Sequence, residues 1–330
     1  MSTRESRPDV LILGAPKAGT TALHAALARH PQVYPSPVKE PKYYLCGDAP
    51  PPAYDGPGDA HSRREWIWRQ SDYAALFAAA PPEALRLEST PLYLYVPAAR
   101  RRIAEELPQA RLIVVVRDPI DRAYSNWMHL WVDGLEPISD FVAAWHAEDE
   151  RVAAGWAPFW HYRRLGRYGE QLADLLDRVD RERLLVLRYW QLVSQPVATL
   201  NRVAGFLGIA ADQITTVPPD NSRPFVAPGL RTSMLGRAIR AGATAGQLFP
   251  PEVWRRASGP LLAALQYRGS VQRPKLGAEQ RRALLGDCLD DVALLEQVLG
   301  ESFQDWHSTT GRGSFAERAK ANSSSETNRD

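Results

Sequence analysis

Val10-Leu-Ile-Leu-Gly14-Ala15-Pro16-Lys17-Ala18-Gly19-Thr20-Thr21-Ala-Leu23 decides the fold of this chain. Four apolar residues, Val10 to Leu13, are bounded by Pro8-Asp9 before and Gly14 after, the mark of a short buried strand. From Thr20 the pattern changes to a helix former with Leu23 and Leu27 at i, i+4, closed by Pro31. Between strand and helix lies a glycine turn, where backbone N–H groups and a helix N-terminus favour an anion. Gly19 lets the backbone approach such a ligand closely, Thr20 and Thr21 add hydroxyls, and Lys17 adds a cation. The glycines keep the spacing of the G-x-x-x-x-G-K-[ST] nucleotide loop, but Thr20 stands at its lysine position and the lysine has moved to Lys17. A nucleoside triphosphatase needs that lysine beside β- and γ-phosphates and Mg²⁺. The displaced lysine therefore weighs against a P-loop small-molecule kinase using ATP–Mg, which stays as the rival reading.

Outward from this stretch, strands alternate with helices. Leu85–Glu88, Leu112–Val116 and Leu184–Leu187 read as further short strands. Ser71–Ala80 (capped by Ser71), Pro97–Leu107, Asp121–Trp131, Phe141–Ala154, Gly169–Val179 and Gln195–Leu207 read as helices. Such alternation predicts an α/β chain with a doubly wound, central parallel sheet. Beyond Val217 strand signals thin out, and a helix is expected near Ala278–Leu299. We expect a flexible N-terminus over residues 1–8, one domain over residues 9–308, and a disordered polar tail over residues 309–330.

Composition narrows the function. The 330 residues hold 40 Lys+Arg against 38 Asp+Glu, a net charge of +2, which argues against a nucleic-acid partner. The two cysteines, Cys46 and Cys288, have no metal-ligand spacing and give no disulfide framework. No apolar run approaches a membrane span and Met1 to Asp9 is polar, so a cytoplasmic enzyme without an integral membrane segment is expected.

A second segment carries chemistry: Val114-Val-Val-Arg117-Asp118-Pro119-Ile-Asp121-Arg122-Ala-Tyr-Ser125. Arg117 leaves a buried strand at its carboxyl end, where ligands of open α/β sheets bind. Ser125 lies eight residues on and returns to the same side from the following helix. A guanidinium with a hydroxyl suits a terminal phosphate monoester. The bland alternative pairs Arg117 with Asp118 or Asp121 and leaves Ser125 in solvent.

The two segments together resemble the cofactor motifs of the sulfotransferase superfamily that uses 3′-phosphoadenosine 5′-phosphosulfate (PAPS), in particular the carbohydrate and heparan-sulfate-like branch and its bacterial relatives. Lys39-Glu40-Pro41-Lys42-Tyr43-Tyr44, Glu88-Ser-Thr-Pro91-Leu-Tyr93, Gly166-Arg-Tyr168-Gly-Glu-Gln-Leu172 and Phe206-Leu-Gly208 extend the resemblance over roughly residues 9–306. It implies a P-loop-like three-layer α/β/α fold and a metal-free transfer of a sulfuryl group from PAPS to an acceptor hydroxyl, releasing adenosine 3′,5′-bisphosphate (PAP). It implies that Ala15, Pro16, Lys17, Ala18, Gly19, Thr20 and Thr21 hold the 5′-phosphosulfate. Arg117 and Ser125 would hold the 3′-phosphate, with Arg273 and Lys275 covering it from a basic loop. Golgi members of the superfamily carry a membrane anchor, and none is expected here.

The acceptor proton needs a base. In the resembling branch the glutamate matching Glu40 is proposed for that role, with lysines such as Lys39 and Lys42 near cofactor or acceptor. His129, one turn after Ser125, is the second candidate; Glu88 is expected either to orient the acceptor or to stabilise the turn after its strand, and Tyr93 is a candidate for binding the acceptor. Ten tryptophans and twelve tyrosines suit a sugar, a glycolipid or an aromatic natural product of secondary metabolism, although most are expected to fill the core. A small-molecule or glycan acceptor is the partner expected.

Overall fold

The computed structural model describes residues 7–59, 63–218, 225–227, 229–245, 251–266 and 274–308. Five parallel strands form one sheet: β1 (Val10–Gly14), β2 (Val33–Pro35), β3 (Leu85–Ser89), β4 (Arg111–Val116) and β5 (Leu184–Arg188), in the order β2-β3-β1-β4-β5. Flanking helices complete the three-layer α/β architecture expected. β1 and β4 are continuous apolar runs because both faces are covered, as in sheets built from crossovers through helices. From central β1 the chain moves out to β2, returns through β3, and then crosses to β4 and β5. The carboxyl end of β1 is thus a switch point, where open α/β sheets bind ligands.

Three local features differ from the sequence expectation. β2 is a three-residue edge strand ending in Pro35, too short to leave a periodic signal. The expected helix Phe141–Ala154 is two, Phe141–His146 and Glu148–Ala153, meeting at Ala147. The helix expected at Ser71–Ala80 runs Gln70–Ala75, and Ser71 does not cap it: its hydroxyl donates to Asp72, while Asp48 accepts from Gln70 N at 2.9 Å.

After Val217 the chain is helical where described. Helices Leu230–Ala245 and Pro251–Gln266 close on a small core of Val226, Ile239 and Leu265. Helix Ala278–Leu299 returns to the main core through Leu284, Val292 and Leu295. Its Asp291 carboxylate accepts from Gly169 N and Glu170 N at 2.9 and 3.0 Å, capping helix Tyr168–Leu176 from outside. No described helix is long and apolar enough to cross a membrane.

Candidate active site

The loop after β1 turns into helix Thr20–Leu27 through Gly19, whose φ of 91° only glycine adopts without strain. A Cβ at Gly19 would meet the Tyr189 ring at 2.9 Å, so the residue is also a close approach. Lys17 itself sits at φ 65°, in the left-handed region, and its carbonyl accepts a 3.0 Å hydrogen bond from Arg117 Nη1. Arg117 leaves β4 next door, and its guanidinium lies 4.7 Å from the Tyr189 ring centroid. The alternative pairing of Arg117 does not occur: Asp118 and Asp121 are taken by Arg281, from helix Ala278–Leu299. Arg117 Nε is buried without a hydrogen-bond partner among the described residues, and Ser125 is half-buried on helix Pro119–Val132. A positive-φ glycine cradle, a lysine in the loop and an unsatisfied arginine N–H together fit a bis-phosphorylated nucleotide.

Segment 39–42 faces this loop. Glu40 and Lys42 have φ of 60° and 66°, so three of the five non-glycine residues with positive φ among the described residues lie at this site. Each such residue costs of order 1–3 kcal/mol and persists only where neighbours fix it. Here the turn after β3 does so: Ser89 O accepts from Glu40 N at 3.2 Å, and Thr90 Oγ1 accepts from Lys42 N at 3.3 Å. Lys39 Nζ donates to Glu40 Oε1 at 2.5 Å. Lys42 lies over Trp66, 5.3 Å from the ring centroid. Burial pushes its ammonium down from the usual lysine range, with Glu40 and Glu65 opposing.

A cavity of about 420 Å³ joins the loop after β1 to segment 39–42; Arg117 and Ser125 do not line it, and Arg117 instead lines a small neighbouring cleft with Tyr189 and Arg281. Pro16, Lys17, Gly19, Thr20 and Thr21 line one side, Glu40 and Lys42 another, and His129, Phe159 and Trp160 the far wall. The structure thus brings both candidate bases to one space. It adds Asp133, which the sequence reading missed: its carboxylate lies 3.7 Å from His129 Nε2, one helical turn on. The i, i+4 spacing was the available signal.

Glu88 and Tyr93 do not reach the cavity. Both are 0% exposed, and Glu88 accepts hydrogen bonds from Tyr73, Tyr93 and Thr90 hydroxyls at 2.8, 3.1 and 2.7 Å. Burial pushes the Glu88 carboxyl up to about 7, against those three hydrogen bonds. The acceptor-binding role is therefore corrected for both, since their side chains lie in the core, while the alternative expected for Glu88, stabilising the turn after its strand, is what its bond from Thr90 shows. Among the described residues most of the aromatic side chains are core as well, with Trp66 and Trp160 the tryptophans on the cavity wall. Lys275 is exposed beside Pro274, whose carbonyl accepts from Tyr124 OH, next to Ser125. Arg273 lies outside the described residues. Both cysteines are buried thiols, and among the described residues no group of His, Cys, Asp or Glu is arranged to hold a metal ion.

Comparison with known proteins identifies the family. A mouse protein, heparan sulfate glucosamine 3-O-sulfotransferase 6, is 30% identical over 209 residues, covering 62% of this chain and 54% of its own. Human bifunctional heparan sulfate N-deacetylase/N-sulfotransferase 2 is 28% identical over 251 residues, 72% of this chain and 26% of its own. The chain thus spans about half the length, or less, of these curated relatives. The crystal structure of a sulfotransferase from Alicyclobacillus acidocaldarius superposes with a TM-score of 0.70 at 26% identity, over 92% of this chain and 99% of the other. The model of the sulfotransferase family matches residues 8–213, and with β1, its loop, the 39–42 segment and Arg117 all inside that span, the chain belongs to the sulfotransferase family.

Proposed function

We propose that the protein transfers a sulfuryl group from PAPS to a hydroxyl of a small-molecule or glycan acceptor. The observation that carries this reading is the tie between Lys17 O and Arg117 Nη1, which makes the phosphate loop and the arginine after β4 one anion-binding unit. PAPS supplies an activated sulfuryl group and departs as PAP. Residues 15–21 bind the 5′ end through backbone N–H groups and the Thr20 and Thr21 hydroxyls. Lys17 neutralises the charge that grows on the leaving phosphate, without the metal a triphosphate would call for. Arg117 and Ser125 hold the 3′-phosphate, with Lys275 beside them. Glu40, fixed by the turn after β3, accepts the acceptor proton. A second assignment gives that proton to His129, because Asp133 orients it as a carboxylate orients a histidine base. The two buried thiols suit a reducing compartment, in keeping with a cytoplasmic enzyme.

Titration of the protein with PAP and with ATP–Mg²⁺, following the melting temperature, tests the reading, since a ligand that binds only the native state raises it. The expected result is a shift with PAP in the presence of EDTA and none with ATP–Mg²⁺. The reverse pattern would replace the sulfotransferase reading with the kinase one.

A further inference from the structure

The cavity wall opposite the phosphate loop has a chemistry of its own. Leu92, Leu130, Leu135, Phe159 and Trp160 face it, with Trp66 beside Lys42. These residues come from four separate segments, so the apolar character is assembled by the fold. Trp160 is held in place by its indole N–H, which donates to Asp59 at 3.1 Å, and the same carboxylate accepts from Ala157 N at 3.1 Å. Phe159 stands edge-on to His129 with centroids 5.7 Å apart, placing an aromatic face next to a candidate base. Trp66 is nine-tenths buried, and its indole N–H has no hydrogen-bond partner among the described residues.

The charges of the cavity point the same way. Among the described residues that line it, the cations are Lys17 and Lys42, and the carboxylates are Glu40, Asp59 and Asp133. Lys17 belongs to the phosphate loop, and the Lys42 ammonium sits over an indole with its charged form disfavoured by burial. Past the loop the wall therefore offers carboxylates and ring faces rather than cations. A sulfated or carboxylated sugar chain entering here would leave water to meet like charge and apolar surface, with little to repay the desolvation. A volume of about 420 Å³ is the size of a small-molecule site.

We infer that the acceptor is an uncharged alcohol or phenol with an aromatic or aliphatic body, bound against Phe159, Trp160 and Trp66, and not an anionic glycan. This inference rests on the sulfotransferase reading of the same site and narrows its substrate class. The hydroxyl is presented toward Glu40 and His129, and the body lies on the apolar wall.

The test uses the full chain saturated with PAP at neutral pH. 2-Naphthol and an N-sulfated glucosamine–uronic acid disaccharide are titrated in parallel, read by tryptophan fluorescence and by melting temperature. Saturable binding of 2-naphthol and none of the disaccharide is expected, and Phe159→Ala should weaken the naphthol about tenfold, a typical loss for one aromatic contact, while the PAP-induced shift stays. If Phe159→Ala does not fold, Leu92→Ala asks the same question of a half-buried wall residue with a smaller expected loss. Binding of the disaccharide, binding of neither probe, or naphthol binding indifferent to the wall variants each overturns the acceptor inference while leaving the donor reading intact. Absence of any PAP-induced shift instead removes the sulfotransferase reading itself.

Discussion

At the scale of single residues, the site separates two tasks that one lysine performs in a nucleotide triphosphate loop. In the function proposed, Thr20 at the helix start would bind through a hydroxyl, and Lys17, turned into the loop at φ 65°, would carry the charge. A cation there is useful chiefly when negative charge develops on a leaving phosphate, so it acts more on turnover than on binding. Lys17→Ala is expected to lower kcat by about 10² to 10³, the usual loss for one group that stabilises transition-state charge, while PAP still binds, more weakly. Arg117→Ala would remove the charge-assisted hydrogen bonds proposed to the 3′-phosphate, which would be made equally in ground and transition states. It should therefore raise the KM for PAPS by about 10- to 100-fold with a smaller change in kcat. Steady-state kinetics with PAPS varied at fixed acceptor reads both. An unchanged KM in the arginine variant would remove it from the 3′-phosphate site, and normal turnover in the lysine variant would remove that residue from the mechanism.

At the scale of elements, the turn that follows β3 is the brace of the site. Its Ser89 and Thr90 hold segment 39–42, and its Leu94 N donates to Leu13 O beside the phosphate loop at 2.9 Å. Glu88 anchors the turn from below through Thr90 and two tyrosines. Its carboxyl, pushed up to about 7 from an ordinary 4.5, makes that anchor sensitive to pH. Between those values the folded chain keeps a proton that the unfolded chain has released. Stability thus falls as pH rises through this window, and the full cost, about 3 kcal/mol, is present above it. Buried His24 and His161, both pulled down to about 4, act in the opposite sense, because stability there falls as pH drops below 6.5. The contribution of Glu88 is therefore isolated as a difference. The urea-unfolding free energy of Glu88→Gln minus that of the unaltered chain should rise between pH 4.5 and 7 and stay level beyond. A difference that is flat across that range would mean Glu88 ionises in the fold as easily as in the unfolded chain.

At the scale of the whole molecule, what the sequence made legible is what it encodes locally. The phosphate loop, β4 with Arg117, and the helices on either side follow from spacing over a dozen residues, and they stand where expected. The Lys17–Arg117 tie joins residues a hundred positions apart, and the apolar cavity wall draws on four segments, so neither leaves a pattern in any window. Glu88 and Tyr93 look like polar site residues until the strand turns them into the core. Gly169, within a family-like motif, is there for packing: a Cβ would meet Asp291 O at 2.4 Å, so helix Ala278–Leu299 lies against that backbone. That last helix ties the far end of the chain to the site. Its Arg281 holds Asp118, the carboxylate that caps helix Pro119–Val132 by accepting from Ile120 N and Asp121 N at 3.0 Å, and Arg281 Nη1 donates to Asp121 at 3.0 Å. Burial pushes the Asp118 carboxyl up, with Asp121 adding to that and Arg281 opposing. Asp118 directly follows Arg117, so the strap holds the backbone beside the arginine proposed for the 3′-phosphate. Removing one partner of a buried pair strands the other charge, and Arg281→Ala is expected to cost about 3–5 kcal/mol in urea unfolding. Asn remains a good helix cap and carries no charge, so Asp118→Asn in the same chain should return a large part of that loss. If Arg281→Ala alone unfolds with an unaltered midpoint, or if the double variant is no better than the single one, the strap does not carry the stability assigned to it here.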